Sequence, residues 1–563
     1  MEVQNIDNFV FQMAQSNFEK TDVPFLSKEI IFENDIENGE YSTSQVNFNT
    51  TSIANNGKVN DLKNGFFVFP ICIQLTGETK GTVPNPSAAV NFTTAVNNNA
   101  CIALKNSSNN WIHNIAVEYQ NGSVLNARNY VNTYMNFVQN VSWNAEEEDM
   151  NGSFIGYAKD SSDSWGFNDV ASNAGETEGY GLYNNGVGAT DRQHVFDGSA
   201  CINKGLLKRT KLFQSKNAKG RDAVFGSKTV KGLNYIENTT TSKDYYYYGI
   251  IRAKDIPFLQ NLPMSRGQIM KITFTLNINF KLDFKKDGGK FTDVSFYNPN
   301  GLTNPLMITA HTVKSLKDDL SAVDPYVSGS YSLPDGTYSV VAKLATLNNM
   351  KHPLPKCRMY MPSYTLSPEY STQYYSDAIK TFSYNDIISS NFTVAGGADP
   401  TPFDTYINTG VAYAKSLVIV VALTGAANKG LHSWSSPFTT EPSTVSPFYI
   451  SNFNVYVGNN PLYIRPLAYT YEQFMMEMNA QYGENSNMVQ SIVGNNISLR
   501  DYNNNYRYIV CNLSRVLESD KSAMRSIRVS GIVESPLELQ FNCFITVEKL
   551  FKIDIRDGTV PSV

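Results

Sequence analysis

The chain has 563 residues, a net charge of −5, 17% charged residues and 12% aromatic residues. The acidic balance argues against a protein that coats nucleic acid through a basic face or arm, and the aromatic content argues against disorder. No apolar run approaches the ~18–20 residues of a membrane-spanning helix; the longest, Ser416–Leu423, is the size of a strand.

Residues 1–40 carry spaced aromatics at Phe9, Phe11, Phe18 and Phe25, with no charged segment leading an apolar core. They read as an N-terminal arm and not as a secretion signal. Tyr41–Thr50 alternates like a strand, and Gly65–Leu75 reads as a second, more buried one. Trp111–Asn126 places Asn121-Gly122 between two extended runs, a strong hairpin signal. In Ala127–Trp143, Tyr130, Tyr134, Phe137, Val138 and Val141 recur at steps of four and three, which predicts a helix. Regular patterning stops from about 144 to 243, so this stretch is expected to be a decorated insertion with short elements of its own. Strands return at Tyr245–Ala253 and at Lys271–Phe284, whose alternation suggests one half-buried strand closing a first barrel over 41–295.

The Asn-, Gly- and Pro-rich Phe296–Pro305 is the expected boundary, with a second barrel over 306–563. Pro334-Asp335-Gly336 predicts another hairpin within Ser330–Leu344. Strands are expected at Lys356–Leu366, Lys380–Ile388 and Ser416–Leu423. Thr470–Gly483 reads as a helix with Thr470 and Gln473 as a capping box and Gly483 as its stop. Extended runs at Tyr506–Val516 and Leu539–Ile555 finish the chain. Each half therefore runs strands, short helix, closing strands. That order predicts an all-β chain of two tandem jelly-roll β-sandwich barrels with short connecting helices and a long loop insertion in the first.

Little in the sequence points to chemistry. The six cysteines are far apart with no CxxC pair, as expected of buried free thiols. His113, His194, His311, His352 and His432 are isolated, without metal-ligand spacing. Gly175–Gly188 is glycine-rich but lacks the spacing and βαβ context of a dinucleotide site. The acidic run Glu146–Asp149 reads as a solvated face, and the basic stretch Lys204–Lys231, interleaved with Leu206, Leu207, Leu212 and Phe213, as an exposed insertion or subunit contact. No catalytic, cofactor-binding or metal-ligating residue is assigned, and no enzyme is expected.

Several pieces of the second half carry a resemblance by their order: Cys357–Tyr370, Asn408–Leu423, Ser436–Phe438 leading to Ser446–Ile464, Asn512–Arg515 and Lys552–Gly558. Tyr248–Asn277 adds to it in the first half. Together they resemble the double jelly-roll major capsid proteins of Polinton/Maverick elements, adintoviruses, polinton-like viruses and virophages. The resemblance implies a structural protein of the virion, made in the host cytoplasm or nucleus. Three copies would form a pseudo-hexagonal capsomer of an icosahedral shell, with itself, penton and minor capsid proteins as partners. It implies no specific nucleic-acid site and no cofactor. The alternative is a β-sandwich carbohydrate-binding or adhesive surface protein, with Trp111, Trp143, Trp165 and Trp434 as stacking platforms.

Overall fold

In the computed structural model the described residues run from 24 to 561, less 82–85, 94–100, 161–164, 168–179, 183–204, 206–207, 210–213, 216–233, 310–333, 345–355, 425–431, 438–447, 483–496, 516–521 and a few single or paired positions. The first barrel is built on β1 (Phe25–Asn34), β2 (Gln45–Asn49), β3 (Phe66–Thr79), β4 (Ile112–Tyr119), β5 (Gly122–Ala127), β6 (Ser242–Arg252) and β7 (Met270–Leu276). Helix α1 (Val131–Ser142) follows β5. Three strands, β8 (Lys281–Asp287), β9 (Lys290–Tyr297) and β10 (Gly336–Leu344), then precede β11 (Arg358–Leu366). One sheet runs β1–β11–β3–β6 and the other β2–β7–β4–β5.

The second barrel comprises β12 (Ile379–Val394), β13 (Thr401–Val411), β14 (Ala414–Leu423), β15 (Tyr449–Val457), β16 (Asn460–Pro461), β17 (Ile509–Asn512), β18 (Arg525–Glu534) and β19 (Leu539–Asp554). A short helix α2 (Pro368–Tyr374) leads into it, and α3 (Tyr471–Tyr482) follows β16. Its sheets run β12–β19–β14–β17 and β13–β18–β15–β16. Counting the principal strands of each barrel from one to eight, both have the orders one–eight–three–six and two–seven–four–five. That is the jelly roll, made twice, with the same helix after the fifth strand.

Alternation explains which side of each strand is buried. β7 buries every second residue (Met270, Ile272, Phe274, Leu276), and β18 does the same through Ile527, Val529 and Val533. Between the sheets of the first barrel, Phe274 lies 4.9 Å from Phe67 and 5.3 Å from Phe69 by ring centroid, with Phe48 beside them. The second barrel repeats the device with Phe392 and Phe403 each against Phe541, at 5.0 and 5.4 Å.

Four expectations are corrected. Phe296–Pro305 is not where the barrels change. Leu306–Thr309 pairs with Cys101–Leu104, β10 pairs with β3 and β8, and β11 completes the first sheet. The change of sheet lies between Leu366 and Ile379, because β3 is long enough to hold β10 and β11 end to end along one edge. Pro70, which has no N–H to give, falls in the break between those two partners.

The second correction concerns residues 1–40. Phe25–Asn34 is a strand pairing along the whole of β11; residues 1–23 lie outside the described part. Third, Lys271–Phe284 is two strands. The run leaves one sheet at Leu276 and enters the other at Lys281, turning at Asn279 with φ 59°. Asn is among the residues that visit that left-handed backbone most readily, and here its amide is fixed by a distant partner, donating to Ser44 Oγ at 3.2 Å. Fourth, Gln473 does not cap α3: its amide donates forward to Glu477, and Glu472 is the side chain bonded to Thr470. Gly483 and the first arm of the hairpin expected at Pro334–Gly336 lie outside the described residues.

Candidate functional site

The described residues offer little reactive chemistry. No group of three or more His, Cys, Asp or Glu that would suit a metal ion occurs among them. Cys357, Cys511 and Cys543 are free and buried, and burial pushes their thiols up, away from the reactive thiolate. Burial raises Cys72 to about 12. His113 and His432 are driven down to about 4, chiefly by burial, and sit neutral in the fold. His432 accepts at Nδ1 from the Trp434 backbone N–H at 3.1 Å, and its Nε2 is 3.1 Å from Gln540 Oε1. Residues 194, 311 and 352 lie outside the described part. Trp111, Trp143 and Trp434 are buried, so three of the four platforms expected for a sugar-binding protein are core residues; the Trp165 side chain is outside the described set.

The charged insertion behaves differently from its sequence reading. Lys208 bridges Glu148 and Asp149 at 3.0 Å each, so the acidic run meets the basic stretch within one chain. Arg209 is not on the surface at all. Its guanidinium is buried and donates to the Leu104 carbonyl at 2.7 Å, to the Ala158 carbonyl, and to Asp160 Oδ1 at 2.6 Å. Charge patterning alone assigns every such residue to solvent, and the fold overrides it here by supplying a full set of acceptors.

The most organised feature is the seam between the barrels. α1 lies in it with two buried faces, one toward the second barrel and one bonded mainly to its own barrel. On one, Tyr134 meets Phe544 at 6.0 Å and Phe137 meets Tyr508 at 4.8 Å. On the other, Asn132, Asn136 and Asn140 recur at steps of four and are all buried. Asn132 and Asn136 donate to Asn110 Oδ1 at 3.0 and 2.7 Å, and Asn136 Oδ1 accepts from Asn106 at 3.2 Å. Asn140 donates to the Tyr508 hydroxyl at 3.0 Å while accepting from Tyr157 at 3.1 Å. Sequence reading took asparagine as a turn former and missed this amide ladder; its signal was the i, i+4, i+8 spacing on a predicted helix.

Further along the seam, Phe258 packs against Tyr384 and Phe551 at 5.0 and 5.3 Å. Gly267 (φ +67°) and Gly558 (φ +71°) lie back to back across it. A Cβ on Gly267 would sit 2.0 Å from the Asp557 carbonyl oxygen, so only glycine fits. Tyr119 and Gln120 donate to the Gly558 carbonyl at 2.7 and 2.8 Å. In the second barrel, buried Glu477 accepts from Tyr463, Gln473, the Asn512 N–H and Arg515 at 2.9–3.1 Å, pinning α3 to β17. A cleft of about 260 Å³ opens beside α3 and is lined by Phe448, Tyr469, Tyr471, Leu499, Tyr502 and Arg507. It is aromatic, with Glu472 and Arg507 as charged lining and no facing pair of carboxylates.

No family model matches the sequence, and no curated protein does. Among solved structures, the cryo-EM structure of the Sputnik virophage aligns over 97% of this chain and 91% of its own, with TM-score 0.51 and 12% identity. The crystal structure of the mavirus major capsid protein aligns over 97% and 92%, at TM-score 0.45 and 10% identity. The Faustovirus major capsid protein aligns over 96% and 93%, at 0.43 and 8%. At 12% identity the likeness to the Sputnik structure is one of fold. With its strand order made twice and nearly its whole length aligned, this chain is a double jelly roll, sharing its fold with the Sputnik virophage structure.

Proposed function

We propose that the chain is the major capsid protein of an icosahedral virus or virus-like element, assembling as a homotrimeric, pseudo-hexagonal capsomer. The observation that carries this is the full-length match of a two-barrel fold to a virophage structure. The repeat supports it physically. Two barrels of one topology, held by an aromatic seam with the Asn140–Tyr508 bond and the Gly267–Gly558 contact, form one block, and three such blocks present six similar units around a ring. The virion is then the site of action. Neighbouring capsomers, a penton protein and minor capsid proteins are the partners, and the insertion after α1 lies on the particle exterior. Residues 1–24, with their spaced phenylalanines, act in assembly and not in folding of the barrels.

Negative-stain microscopy with light scattering of the purified protein tests this reading. Trimers with a hexagonal outline are expected. A monomer at every concentration, with no such outline, overturns it.

A further inference from the structure

The two barrels share a strand order but not the use of their faces. In the second barrel part of the outward side of the β12–β19–β14–β17 sheet is covered: Val418, Val420 and Phe544 are buried, and Tyr134 of α1 in the first barrel lies 6.0 Å from Phe544. The helix side of one barrel thus covers part of the one–eight–three–six sheet of the other.

The complementary surfaces remain open among the described residues. Across the outward side of β1–β11–β3 runs a row of aromatics. Phe32 lies 5.8 Å from Tyr360, which stacks on Phe66 at 5.0 Å, which in turn meets Phe154 edge-on at 5.6 Å. Arg358 covers the Phe32 ring at 4.5 Å. On β1, Leu26, Ile30 and Phe32 are 67, 66 and 49% exposed. At the other end of the chain, the α3 side of the second barrel offers the aromatic cleft and exposes Tyr449, Met476 and Leu499. Contiguous apolar surface of this kind marks an interaction site.

We propose that these two surfaces meet between copies: the α3 side of one copy's second barrel covers the aromatic row of the next copy's first barrel. The contact repeats between chains what α1 and the second barrel do within one. This deepens the capsomer reading and rests on it. Because the two surfaces differ, the association is head-to-tail, and such a contact either closes into a ring or runs on as a filament. Alternating an internal and an external version of one barrel-to-barrel step closes it: three chains give six barrels with a contact at every junction.

The test uses one variant on each surface of the full chain. Ile30→Glu alters the row and Leu499→Glu alters the cleft rim; both residues are exposed, so the fold, checked by circular dichroism, is expected to persist. By analytical ultracentrifugation each variant alone is expected to associate at least tenfold more weakly than the parent trimer, while Ile30→Val trimerises normally. Mixing the two variants is the sharper measurement. The first keeps an intact cleft and the second an intact row, so one sound contact forms and the mixture yields one-to-one heterodimers without trimers. If either glutamate variant trimerises like the parent, or mixing yields no heterodimer, the surfaces are wrongly assigned although the capsomer reading stands. A parent chain that never trimerises sinks both.

Discussion

Val418, Val420 and Phe544 in the second barrel occupy the same strands of the jelly roll as Val68 and Tyr360 in the first, yet their outward sheets meet different surroundings. The second-barrel sheet is met by α1 at Phe544 and by Phe258 at Phe551, and the Gly267–Gly558 contact closes the seam just beyond its last strand. The first-barrel sheet is covered on its β6 side by Trp143 and Ile155, while its β1 edge stays open with large apolar side chains outward. The difference teaches that a repeated fold does not repeat its interfaces. One copy of the face is spent on holding the chain together, and the other is left for whatever the chain assembles with.

If the seam is what makes the two barrels one body, damage there must cost far more than equal damage elsewhere. Gly267→Ala is expected to have the largest effect. It adds left-handed strain of ~1–2 kcal/mol and drives a methyl into the Asp557 carbonyl, so total loss should exceed about 4 kcal/mol or prevent soluble expression. Gly57→Ala is the matched comparison: its φ is +70° but nothing lies within 4 Å of the added carbon. It should cost only the strain. Equal thermal or denaturant midpoints for the two variants would break the comparison.

Asn136→Leu should come next. It takes from Asn106 and Ser107 the acceptor they share and leaves Asn110 with Asn132 alone, and each orphaned buried group costs about 1–3 kcal/mol. A loss of about 3 kcal/mol by chemical denaturation is expected. An unchanged midpoint would mean the ladder contributes nothing to the seam.

Acid sharpens the comparison from another side. His113 and His432 are held neutral in the fold, with values near 4 against an ordinary 6.5. Between those values the unfolded chain binds protons that the folded chain refuses, so stability falls as pH drops. The contribution is full above about 6.5 and is lost progressively down to and through about 4, on the order of 3 kcal/mol for each histidine. Denaturant midpoints measured from pH 7 to 4 should fall, and the double variant His113→Phe, His432→Gln should flatten that slope. An identical slope in the variant would exclude the histidines as its cause.

The smallest effect belongs to the insertion. Lys208→Gln removes both contacts to Glu148 and Asp149, yet Lys208 is half exposed and Asp149 mostly so. Exposed pairs of this kind contribute at most about 0.5 kcal/mol. A loss above about 1 kcal/mol would show that the insertion is bound into the body far more tightly than this geometry indicates.

Much of the fold was legible in the sequence, and for identifiable reasons. Alternation at Ile272, Phe274 and Leu276, the hairpin flanking Gly122, and the three–four spacing of α1 are local signals written by burial itself. The jelly-roll pair and the helix positions followed from such patterns. What the sequence did not disclose were decisions made by partners distant in the chain. Gly336–Leu344 and Arg358–Leu366 look no different from second-barrel strands; only the length of β3, with room for both β10 and β11, draws them into the first. Asn279 turns one alternating run into strands of two sheets because the sheets lie one over the other there. Arg209 looked like surface charge until the fold brought Leu104, Ala158 and Asp160 around it. Burial periodicity is a property of neighbours in sequence and can be read from them. Domain boundaries, buried polar ladders and the choice of which apolar face stays open depend on which distant strands and helices share an edge, and those are settled only in three dimensions.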